Sequence, residues 1–165
     1  MHLVNLGSPI NSSGNEYFPF LLNDKEMLYF TRQGNGRNDE NLFFSQKQDS
    51  LWSEPNMVDA TFNTNRNEGM ATFTRDGYQL FFTACQRQNV NGTCDIQKAT
   101  IVNGQIASIK VLEGDLNSQR WESQACINCD GTILYFSSNR EGGIGGADLG
   151  LPAYSGFKRQ STPWE

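Results

Sequence analysis

The sequence predicts an all-β chain of three stacked repeats, each built from short antiparallel strands. The first observation behind this is a motif that returns at a fixed period. Asn15-Glu16, Asp24 and Leu-Tyr-Phe-Thr at 28–31 come back as Asn67-Glu68, Asp76-Gly77 and Leu-Phe-Phe-Thr at 80–83. They come back again as Trp121-Glu122, Asp130-Gly131 and Leu-Tyr-Phe-Ser at 134–137. The glutamates stand 52 and 54 residues apart, and the aspartates keep the same spacing. Units of this size cannot bury a hydrophobic face alone and must stack. The second observation is composition: 37% apolar residues is low for a globular chain, and much of the rest is small and polar, which suits many turns and short strands. The third is that no segment carries a strong helical pattern.

The elements follow in order. A first extended segment succeeds each glutamate, at 17–22, 69–74 and 123–128. Asp-centred turns follow at 23–25, 75–77 and 129–131, and Asp-Gly between apolar runs is a strong hairpin signal. The second segments, 27–31, 79–83 and 133–137, are apolar on both faces, as strands covered on both sides must be. Polar, Gly-rich loops then carry Arg37, Arg87 and Arg140. Third segments begin at Asn41, Asp95 and Asp148, and fourth segments are expected at 51–58 and about 105–112. Four antiparallel strands in a unit of this length make a propeller blade, and the expected blades span about 15–58, 67–112 and 121–165.

The runs NEYFPFLLNDKEMLYFTR and DGTILYFSSNREGGIGGADL, with the linking W-S-E-P…N-T-N-R-N-E, resemble the TolB-like β-propeller repeat. The resemblance extends from about Leu3 to Trp164, and the third copy matches best. It departs in the second copy, which lacks the Gly-Gly pair, and at Gly150-Leu151-Pro152, where a regular third strand would continue. It implies six blades, protein–protein interaction and a bacterial periplasmic or envelope-associated setting.

The two ends of the sequence fit one another. The chain stops at Trp164-Glu165 as if after Trp52-Ser53, and residues 2–7 align onto 54–59. Residues 2–7 are therefore expected to complete the last blade. Three blades are fewer than the usual four to eight, so a head-to-tail homodimer sharing blades, with six in all, is one reading. A piece cut from a longer propeller is the other.

The charge balance of 13 basic against 18 acidic residues, with no basic cluster, argues against nucleic acid. No apolar run approaches the roughly 18 residues of a membrane span, and no signal peptide is evident in this chain. His2 is the only histidine, which disfavours a His-based triad. Glu16, Glu68 and Glu122 open the innermost strands. A ring of them at a channel mouth could hold a cation such as calcium through oxygen ligands, although repetition in every blade favours a structural network. No other cofactor is implied. Arg37, Arg87 and Arg140, with Asp95 and Asp148, are expected to tie loops by charge-assisted bonds. Cys85 and Cys94 face each other across a hairpin loop and are expected to pair in an oxidising compartment. Cys126 and Cys129 form a lone C-x-x-C at a turn, a weak signal for redox or zinc chemistry. Trp121 breaks the Asn15/Asn67 pattern, and Tyr17 and Arg66 sit beside the same rim, so these three are binding candidates for a protein, peptide or glycan partner, set against packing between blades. The expected function is non-enzymatic binding at the rim or channel mouth. The alternative is a propeller-type glycan hydrolase or lyase, which needs a carboxylate pair across one sugar bond.

Overall fold

A computed structural model describes residues 2–22, 26–34, 39–86, 92–103, 105–112 and 114–150. The described residues form twelve strands and no helix. The first sheet contains β1 (Asn15–Leu22), β2 (Met27–Gln33), β3 (Glu40–Gln48), β4 (Leu51–Trp52) and β5 (Asn56–Met57). The second contains β6 (Asn67–Phe73), β7 (Gln79–Cys85), β8 (Cys94–Val102) and β9 (Gln105–Val111), and the third β10 (Glu122–Ile127), β11 (Leu134–Ser138) and β12 (Asp148–Gly150). All paired strands are antiparallel, in the orders β1-β2-β3-β4, β6-β7-β8-β9 and β10-β11-β12, with β5 also pairing β3.

One expectation needs correction. The fourth segment at 51–58 is not one strand. It breaks into β4, which pairs with the C-terminal end of β3 at Lys47 and Gln48, and β5, which pairs with the middle of β3 at Phe43 and Phe44. Pro55 between them has no N–H to donate, and Ser53 turns inward, its Oγ accepting from the Gln46 N–H at 3.1 Å. The third unit has three strands among the described residues, and residues 2–7 form no strand. The expected splice at Trp164-Glu165, like the turn at Asp24, lies outside the described residues.

The turns form where the sequence supplies polar caps. In the second unit Thr74 Oγ1 donates to Asp76 Oδ1 at 2.6 Å, the Tyr78 N–H donates to the same oxygen, and Gly77 takes a φ of 72° that glycine adopts without Cβ strain. Each innermost strand carries a bulge at the same place. Phe18, Met70 and Gln124, two residues after each repeated glutamate, have φ of 51°, 51° and 58°.

The sheets pack face to face because each second strand is apolar on both sides. Phe82 and Leu80 face the first sheet, in a core with Leu42, Phe62 and Phe73. The adjacent Phe81 faces the third sheet, in a core with Ile96, Leu116, Ile127 and Phe136. The alternation of side chains along a strand is what lets one sheet serve two cores.

Two repeated contacts stitch each junction. Asn63 brackets Leu42 of the preceding sheet, accepting from its N–H at 2.8 Å and donating to its carbonyl at 3.0 Å. Asn117 does the same to Ile96, at 2.8 and 2.9 Å. At each bulge a backbone N–H crosses to the preceding sheet: Met70 donates to Thr31 Oγ1 at 2.8 Å, and Gln124 to Thr83 Oγ1 at 3.3 Å. The first approach is tight, since a Cβ on Gly69 would lie 2.6 Å from the Thr31 side chain.

Cys85 and Cys94 are register partners on β7 and β8 and form a disulfide. It closes a loop of nine residues in sequence separation, for which chain entropy suggests a contribution of about 2–3 kcal/mol. The double variant Cys85→Ser/Cys94→Ser is expected to lose that much in urea unfolding, and a change within error would mean that strand pairing alone holds the hairpin.

Candidate functional site

The repeated glutamates do not line an open mouth. Glu68 and Glu122 have no exposed surface, and Glu16 is half-buried. Each accepts from the N–H and hydroxyl of the residue four positions earlier. Ser12 donates to Glu16 through N–H at 3.3 Å and Oγ at 2.5 Å, Thr64 to Glu68 at 2.7 and 2.8 Å, and Ser118 to Glu122 at 2.8 and 2.7 Å. The carboxylates therefore fold the linker that enters each sheet. Burial raises the Glu16 carboxyl, but the Ser12 bonds and Arg32 outweigh it and hold the group below its ordinary value. Among the described residues, no cluster of three or more His, Cys, Asp or Glu side chains is placed to hold a metal.

An arginine completes the network from two different sequence positions. In the first unit Arg32, within β2, donates to Glu16 at 2.8 Å and to the Ile10 carbonyl at 2.8 Å, with its guanidinium 5.3 Å from the Phe30 ring. In the third, Arg140 follows β11, reaching Glu122 at 3.3 Å and the Leu116 carbonyl at 2.5 Å, 5.2 Å from the Phe136 ring. Ile10 and Leu116, like Phe30 and Phe136, are repeat equivalents. Sequence reasoning missed Arg32, because it stands where the other repeats have Ala84 and Ser138. Arg140 was expected to tie Asp148 but bonds Glu122 instead. Asp148 accepts from the Ile144 and Gly145 N–H groups, which shape the glycine-rich loop. Asp95 is buried and accepts from the Gly92 N–H at 3.4 Å. Arg37 and Arg87 lie outside the described residues.

The rim candidates separate. Tyr17 is half-buried and donates to Glu40 Oε1 at 2.5 Å; burial first, and that carboxylate second, push its hydroxyl above the usual range. Trp121 is half-buried at the second junction, bridging Cys94 in parallel and exchanging backbone and side-chain bonds with Asn139. Both serve packing. Arg66 is different. It is exposed, lightly held by Gln86 Oε1 at 3.1 Å, and lines a groove of about 700 Å³. Thr61, Thr64 and Asn65 of the linker line it together with Gln86, Gln97 and the stretch 106–109 of β9. A second hollow of about 480 Å³ shares Asn65, Arg66 and Gln86 and continues toward Asp39.

The β9 stretch gives the groove its character. The stretch holds a β-bulge, since Thr100 pairs with Ser108 and Ile101 with Ile106, leaving Ala107 as the extra residue, and a bulge re-aims side chains so that neighbouring residues can meet one groove. β9 is the outer strand of its sheet, and an outer strand carries unpaired backbone N–H and C=O groups. No aromatic ring and one carboxylate, Asp39, line the two hollows among the described residues.

A third cavity, of about 380 Å³, lies where the far ends of the three innermost strands converge. Phe20, Leu22, Phe73, Arg75, Ile127 and Cys129 line it. Sequence reasoning looked to the opposite, glutamate end of these strands. Cys126 and Cys129 are free and exposed. Among the described residues, no helix is long and apolar enough to cross a membrane. Comparison of the chain with protein-family models and with curated proteins finds no match to either.

Proposed function

We propose that the chain is a non-enzymatic binding module of the TolB-like β-propeller type, whose three sheets are blades, and that it takes an extended peptide in the groove along β9. The observation that carries this reading is the edge strand itself, open beside an exposed arginine. An extended segment would add to β9 through main-chain hydrogen bonds, its side chains alternately meeting Ile106, Ile109 and the amides of Asn65 and Gln97. Arg66 would receive an acidic side chain or terminal carboxylate. Among the described residues the groove is lined by aliphatic and amide side chains with no aromatic ring, a lining that suits a peptide better than a sugar, whose rings are commonly held by aromatic faces. A glycan-active site would need a second carboxylate beside Asp39. An envelope setting follows from the resemblance and agrees with the Cys85–Cys94 disulfide, a bond of oxidising compartments.

The test is selection of displayed peptides on the full chain, followed by calorimetry. Selected peptides are expected to be extended and acidic, and Arg66→Ala is expected to weaken them about tenfold or more, the scale of one charge-assisted pair lost at an interface. Enrichment of no peptide, or equal binding by the variant, would sink the reading.

A further inference from the structure

The two junctions between the sheets give a template for a third, and both halves of that third junction are present on the chain without their partners among the described residues. In the internal junctions, the residue five after each glutamate packs on the preceding sheet. Phe73 lies 4.4 Å from Tyr29 between ring centroids, and Ile127 shares a core with Phe81. The equivalents of Phe73 and Ile127 on the first sheet, and of Tyr29 and Phe81 on the third, are Leu21 and Tyr135. Leu21 is 49% exposed and Tyr135 43%, against 2% for Phe73 and 0% for Phe81.

The polar stitches repeat the pattern. Leu42 pairs in register with Thr31, Ile96 with Thr83, and Leu149 with Ser137. Leu42 and Ile96 are fully buried under the following linker, whose Asn63 or Asn117 brackets their backbone, whereas Leu149 is 80% exposed. The asparagine that would bracket Leu149 is Asn11, which is exposed and donates to Asn5 at 2.8 Å instead. Ser137 stands where Thr31 and Thr83 accept a bulge N–H, and the matching bulge is Phe18.

We propose that a second copy of this chain covers these faces, Leu21 of one copy packing on Tyr135 of the other and Asn11 bracketing Leu149. Each copy presents both faces, so two head-to-tail junctions close a pair around a two-fold axis, leaving no unpartnered sheet face. Tyr17 takes the place of Gly69 and Ser123 at this junction. Its ring is turned to Glu40 within its own sheet, and the facing position carries serine where the other junctions have threonine. The inference rests on sheet-to-sheet contacts and is independent of the peptide groove.

Light scattering on the full chain over a dilution series is expected to give twice the 18.5 kDa of one chain. Tyr135→Asp and Leu149→Asp should each halve that mass with unchanged circular dichroism, because both side chains are exposed in the single chain. Val102→Asp, exposed at the end of β8, should leave it intact. On a Cys126→Ser/Cys129→Ser background, a Leu21→Cys chain mixed with a Tyr135→Cys chain should form a covalent pair on oxidation. A mass of one chain at every concentration would overturn the proposal, whether the faces stay open or residues 151–165 of the same chain cover them. So would an open ladder of larger species, a pair that survives both aspartate variants, or no crosslink.

Discussion

Glu122→Ala is expected to lower folding stability by about 3–5 kcal/mol, the range for breaking a buried ion pair by removing one partner. The carboxylate has no exposed surface and accepts from the Ser118 N–H and Oγ, from Ser138 Oγ at 2.7 Å and from Arg140. Its removal leaves these donors facing a void, and it frees the linker that carries Leu116 and Asn117 into the second junction. Such a loss is a large share of the 5–15 kcal/mol typical of a domain. Urea unfolding at one fixed protein concentration would measure it, since any association also shifts the midpoint. Glu122→Gln should cost less, because its amide oxygen still accepts. A loss below about 1 kcal/mol in the alanine variant, the scale of an exposed pair, would mean that water replaces the carboxylate and that the network does not hold the linker.

The second large effect is expected at Phe82. Its ring is fully buried and lies 4.1 Å from that of Phe62 between centroids. It touches the first sheet while its neighbour Phe81 touches the third. Phe82→Ala should cost about 3–5 kcal/mol through lost transfer energy and an uncollapsed cavity. The same substitution at exposed Tyr78 should stay within about 0.5 kcal/mol. Hydrogen exchange adds a spatial readout: protection should fall in β2, β3 and β6 more than in β10 and β11. Uniform loss across all three sheets would show that the junctions melt as one unit and that no core is local.

Much of this was legible in the residues. The period placed the inner strands, the Asp-Gly turns and the doubly apolar second strands, because each depends on neighbours close in sequence. The pairing of Cys85 with Cys94 followed from their places either side of one hairpin loop. The break at Pro55 was also local, but it was read as part of a continuous strand. The splitting follows from a missing donor that strand patterning ignores.

Other features depended on reach across space. Arg32 and Arg140 deliver the same guanidinium to equivalent glutamates from unequal positions, so no alignment of the repeats could equate them. Trp121 breaks the pattern and Tyr17 sits beside the same rim, and only the structure places Tyr17 against Glu40 and Trp121 beside Cys94 and Asn139. Arg66 stood in the same list, and only the open edge of β9 beside it distinguishes it.

The sequence by itself determined that this protein is a stack of antiparallel β repeats, because a period of hydrophobic and turn residues is a local code that every copy of the repeat must satisfy. The tertiary structure alone decided which glutamates are sealed, which edge is open and which faces are exposed among the described residues. Burial and edge exposure depend on what neighbouring sheets bring to each residue, and Phe73 with Leu21 makes the point: the same place in the repeat is core in one sheet and surface in another.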